Sequence, residues 1–93
     1  MLELIISEQC PFCEMQKDIV VDNFSKDHYK IIIANTPEFN SYSEKDCVDS
    51  VPFIVVRGLN NEIKYAGKGV HDLDSIKKIM SNGKKFNLSS SSK

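Results

Sequence analysis

The chain has 93 residues, 41% of them hydrophobic, with 12 basic and 13 acidic side chains and a formal charge of -1. That length holds one compact domain and excludes two halves that each bury a core. The balanced charge excludes a long-range field that would draw the chain to nucleic acid or an anionic membrane surface.

Met1-Leu2-Glu3-Leu4-Ile5-Ile6 lacks the basic segment, extended apolar core and small-residue cleavage site of a secretory signal. Nowhere do about 18 apolar residues run together, as a membrane span requires. A cytoplasmic location is therefore expected, and three cysteines in a reducing compartment favour redox or metal chemistry over a structural disulfide framework.

Leu2 to Ile6 is a short apolar run whose place ahead of a Cys-Pro element marks it as a buried strand. From Pro11 to Phe24, Met15 and Ile19, then Val20 and Phe24, repeat at i,i+4. With Pro11 in the first turn, where its missing N–H costs nothing, this predicts a helix opening at Cys10. Tyr29 to Ala34, centred on Ile31-Ile32-Ile33, reads as a strand covered on both faces of a sheet. Thr36-Pro37-Glu38 resembles a helix start, with a hydroxyl cap and proline at the first position. The polar stretch Asn40 to Asp49 would continue that second helix.

Pro52 to Arg57 and Glu62 to Ala66 flank Gly58-Leu59-Asn60-Asn61, which predicts an antiparallel hairpin. Asp72 can cap a last helix whose stripe is Leu73, Ile76, Ile79 and Met80, ending at Asn82-Gly83. Residues 1–84 form the expected domain, and 85–93, rich in serine, a flexible polar tail. The order β-α-β-α-β-β-α predicts an α/β fold, a four-stranded mixed sheet flanked by three helices.

The chemistry concentrates at Cys10-Pro11-Phe12-Cys13. A cysteine just before a helix faces unpaired N–H groups and the positive end of the macrodipole, and both favour its thiolate. Cys10 is the candidate nucleophile. Cys13, one turn on, can attack a mixed disulfide on Cys10 and release the reduced partner. Phe12 offers an apolar ring beside the attacking sulfur. Two other readings of the pair are half of a zinc site and two inert core residues. For zinc a second pair is missing, Cys47, His28 and His71 being scattered. For core packing the intervening proline has no use. Cys47 reads as a partly buried structural thiol, and Tyr29, Tyr42 and Tyr65 as core or sheet residues.

Three features in order, C-P-F-C after a strand, Ser50-Val51-Pro52 before another, and Gly69-Val70-His71-Asp72-Leu73 before the last helix, resemble the glutaredoxins from about Leu2 to Gly83. C-P-F-C differs from the commonest motif of that family, C-P-Y-C, by one hydroxyl. The resemblance implies a thioredoxin-like fold, a cis Val51–Pro52 bond facing the reactive cysteine, and main-chain pairing of Val51 with the cysteine of glutathione. By the same resemblance His71 and Asp72 hold the γ-glutamyl end of glutathione, and Pro52 and Phe12 are further candidate contacts to that substrate. An ordinary strand-start proline and a plain helix cap remain alternatives for Pro52 and Asp72.

Two departures weaken a glutathione site. Many glutaredoxins have a lysine or arginine where this chain has Ser7, and Lys68 stands where one glycine of their Gly-Gly-x-x-Asp motif belongs. Glu8 and Glu14 also place negative charge near the thiols, which opposes anion binding; Lys17 and Lys68 are the cations available to offset it. The resemblance implies a monomeric thiol–disulfide oxidoreductase that reduces protein or glutathione mixed disulfides. Glutathione would be its reductant, with no bound cofactor or metal and no nucleic acid or membrane partner. Ribonucleotide reductase is one client the family suggests. A redoxin served by thioredoxin reductase is the alternative, and an iron–sulfur carrier a more distant one, since cluster-binding relatives typically have serine at the position of Cys13.

Overall fold

Alternation along the first strand decides how the chain is layered. In β1 (Leu2–Ile6), Leu2, Leu4 and Ile6 join one buried cluster and Ile5 joins another, as the period of two in a strand requires. The computed structural model describes residues 1–89. Within them β2 (Tyr29–Ile33), β3 (Phe53–Arg57) and β4 (Ile63–Lys68) complete a four-stranded mixed sheet in the order β2-β1-β3-β4. β1 runs parallel to β2, Leu2 opposite Tyr29. β3 lies antiparallel to β1 and to β4, the hairpin register shifting between Val56 and Arg57.

The helices are α1 (Pro11–Asn23), α2 (Pro37–Asn40) and α3 (Leu73–Ser89). Leu2, Leu4 and Ile6 pack with Ile54 and Val56 of β3 against Cys13 and Val20 of α1 and Ile76 of α3. On the opposite face Ile5, Ile32, Phe53 and Val55 lie beneath Phe39, Tyr42 and Val48. Each fully buried aliphatic side chain contributes about 1.5–3 kcal/mol, so the central pair β1 and β3 holds the fold.

The α/β class, the strand order along the chain and the hairpin follow the sequence reading; three details differ. The run Ile31-Ile32-Ile33 is an edge strand, not one covered on both faces. Ile32 is buried, but Ile33 is exposed, because the covered places go to β1 and β3. The second helix stops after Asn40, and the polar stretch beyond it forms only one 3₁₀ turn, Lys45–Cys47. A short helix needs an apolar face to hold it, and Ser41, Ser43, Glu44 and Lys45 supply none.

The third helix runs past Asn82-Gly83 to Ser89. Glycine inside a helix costs about 1 kcal/mol relative to alanine but does not end it, and no proline follows. The expected tail at 85–93 is thus helical up to Ser89, and its remainder lies outside the described residues. In α1, Met15 faces outward, and the buried residues are Cys13, Gln16 and Val20.

Candidate active site

The turn after β1, with Gln9 at φ 60°, delivers Cys10 as the cap of α1. Its Sγ accepts the Cys13 N–H at 3.2 Å, Pro11 occupies the first helical position, and the Glu14 N–H bonds the Cys10 carbonyl at 3.1 Å. The cap therefore satisfies helix donors that would otherwise lack partners. Cys10 and Cys13 are joined in a disulfide across a Cα separation of 5.1 Å. The two sulfurs differ in access: Cys13 is fully buried in the core, and Cys10 is half-buried at its edge.

Beside the pair lies an open, apolar groove of about 390 Å³, lined by Phe12, Met15, Val51, Pro52, Gly69 and Val70. The exposed side chains of Phe12 and Met15 form the wall on α1. The Val51–Pro52 peptide is cis, as the resemblance implied. Among the described residues no hydrogen bond engages the Val51 main chain, while the Pro52 carbonyl accepts the Gly69 N–H at 2.9 Å. Gly69 has φ 91°, a region L-residues with a Cβ avoid, and this bend turns the chain from β4 towards α3.

Phe12, Val51 and Pro52 thus meet in one groove. His71 and Asp72 do not line it, and their side chains are engaged elsewhere. The His71 ring sits edge-on to Tyr65, centroids 5.5 Å apart. Its Nδ1 lies 3.0 Å from the Gly69 carbonyl, and its Nε2 lies 2.6 Å from the Tyr65 hydroxyl. A carbonyl only accepts, so in the neutral ring Nδ1 donates to it and Nε2 accepts from Tyr65. The Asp72 carboxylate accepts the Ser75 N–H at 2.8 Å and caps α3; that backbone bond, with help from the Ser75 side chain, holds its carboxyl below the usual 3.8.

Charge around the groove is mixed. Glu8 and Glu14 are exposed, and Lys68 lies 3.9 Å from Asp49 in an exposed ion pair, worth little in water. Cys47 is exposed, not partly buried as expected, because the 3₁₀ turn that carries it packs no apolar face.

Gln16 went unnoticed in the sequence. It is fully buried; its Oε1 accepts the His71 N–H at 2.5 Å and its Nε2 donates to the His71 carbonyl at 3.0 Å. The available signal was its spacing, three residues after Cys13 and four before Val20, which places a polar side chain on the buried stripe.

With this geometry the molecule is a small α/β protein carrying a bonded cysteine pair at a helix mouth. No protein-family model matches the chain, and the curated proteins contain no match to it. Among the described residues, no helix is long and apolar enough to cross a membrane.

Proposed function

We propose that this protein is a thiol–disulfide oxidoreductase with a thioredoxin-like fold, working as a dithiol glutaredoxin. The observation that carries the reading is the unequal access of two bonded sulfurs at the start of one helix, Cys10 half-exposed and Cys13 buried. In the reduced protein the Cys13 N–H aimed at Cys10 Sγ and the helix dipole stabilise negative charge on that sulfur.

The Cys10 thiolate attacks one sulfur of a substrate disulfide, forming a mixed disulfide and expelling the other sulfur as a thiolate that takes up a proton. Cys13, deprotonated, then attacks Cys10 Sγ and expels the second substrate thiol. Substrate gains two electrons, and the Cys10–Cys13 disulfide holds the loss. Two glutathione molecules restore the dithiol and leave as glutathione disulfide. The groove beside Cys10 and the free main chain of Val51 suit an extended segment lying next to the reacting sulfur.

Reduction of the mixed disulfide of glutathione and hydroxyethanethiol, coupled to glutathione reductase, tests this reading; steady NADPH consumption is expected, and no turnover by fresh enzyme rejects it. A second donor is favoured by one observation: Ser7 supplies no cation and the Asp72 carboxylate already caps α3, which leaves little to hold glutathione. In that case thioredoxin reductase supports turnover and glutathione does not.

A further inference from the structure

Gln16 is the only buried polar or charged side chain among the described residues, with no exposed surface. Its neighbours on the buried stripe, Cys13 and Val20, belong to the apolar core, so packing alone asks for an aliphatic residue here. The amide instead faces the main chain of a residue 55 positions away, accepting from the N–H of His71 at 2.5 Å and donating to its carbonyl at 3.0 Å. Only a primary amide offers a donor and an acceptor side by side at that reach. A carboxylate would confront the carbonyl, and leucine would leave both His71 groups without a partner.

These two bonds are the only hydrogen bonds from α1 to the segment 69–72 among the described residues. That segment supplies one wall of the groove, Gly69 and Val70, while α1 supplies the other, Phe12 and Met15. Its remaining ties run to the sheet side, Gly69 N–H to the Pro52 carbonyl and the His71 ring to Tyr65, and to α3, where Asp72 accepts the N–H groups of Ser75 and Ile76. Without Gln16 the two walls would have no polar link across them.

We propose that Gln16 is a positioning residue: it clamps the 69–72 segment to the helix that carries both cysteines, sets the width of the groove, and so governs how tightly a disulfide substrate binds without altering the sulfur chemistry. This rests on the thiol–disulfide reading above.

The test compares the full chain with Gln16→Leu, which keeps the shape, and Gln16→Ala, which does not. Three quantities are read: hydrogen exchange at the His71 amide, alkylation of reduced Cys10 by iodoacetamide, and single-turnover reduction of a peptide disulfide carrying leucine beside its cysteine. Both variants are expected to lose protection at His71. The half-saturating peptide concentration should rise about tenfold, the size of one lost buried hydrogen bond, with the limiting rate and the alkylation rate within about twofold, the pattern of lost uniform binding.

If Gln16→Leu binds peptide as the parent does, or keeps His71 protected, Gln16 merely fills the core and the proposal fails. It also fails if alkylation and peptide reduction fall in parallel. A parent protein that reduces no disulfide, beside variants that still lose His71 protection, would reject the redox reading and leave the clamp standing.

Discussion

The two ends of the sheet solve the same problem with different chemistry. At the end away from the cysteines, Glu3 of β1 and Arg57 of β3 meet at 3.0 Å, Arg57 also reaches Glu44, and the Tyr42 hydroxyl donates to Glu3 at 2.6 Å. The Arg57 side chain is only 10% exposed and lies 5.9 Å from the Tyr42 ring centre. Burial, reinforced by Glu3, pushes the Tyr42 phenol up. At the cysteine end the distant segments are joined by the neutral amide of Gln16. The charged cluster fastens the 42–47 segment to the sheet where no groove is needed. A neutral tie near the thiols does the fastening without adding a charge that would bias the thiolate.

Mutations should separate the two ends cleanly. The largest effect is expected from Cys10→Ser, which abolishes disulfide reduction altogether, read as loss of NADPH consumption in the coupled assay. Arg57→Ala comes next, leaving two half-buried carboxylates without their cation; it should cost about 3 kcal/mol of stability, measured as a lower urea midpoint, with iodoacetamide reactivity of Cys10 unchanged. A change in that reactivity would show that the ends are coupled. Phe12→Ala removes a ring that is 62% exposed; stability should hold while kcat/KM for an apolar peptide disulfide falls about fivefold, the worth of a partly buried ring.

The smallest effect is a pH dependence. Because the folded state holds the Asp72 carboxyl below 3.8, its stabilising contribution is complete above the unfolded value and disappears as pH falls through the lower, folded one. An asparagine in its place would cap without titrating. Urea midpoints of the parent and Asp72→Asn should therefore differ by a constant amount above about pH 5 and move in the parent's disfavour below about pH 4. A constant difference down to about pH 2 would mean that the charge plays no part in the cap.

Much of the scaffold was legible because local signals agreed with tertiary demands. Cys10-Pro11 announced the start of α1, Thr36-Pro37 that of α2, and Asp72 that of α3, each through a cap whose partner lies within one turn. The hairpin was written in Gly58-Leu59-Asn60-Asn61. What stayed hidden depends on which element sits beside which. Three successive isoleucines read the same in an edge strand as in a central one, and only the sheet order distinguishes them. The spacing of Met15 and Ile19 marked a helix but not its inner face, which Cys13, Gln16 and Val20 define. In the site, Cys10, Cys13 and Phe12 were visible in four adjacent letters. Gln16 was not, since its partners are main-chain atoms of His71, and backbone groups leave no trace in the letters of a sequence.

Gly69 carries a separate consequence. Its dihedral of 91° combines with empty space, for an added Cβ would meet no atom within 4 Å. Crowding and handedness, usually entangled wherever glycine is required, are here apart: the position objects to the chirality of a side chain and not to its bulk. A natural alanine placed there should therefore cost only the about 1–2 kcal/mol of a left-handed backbone and displace no neighbour.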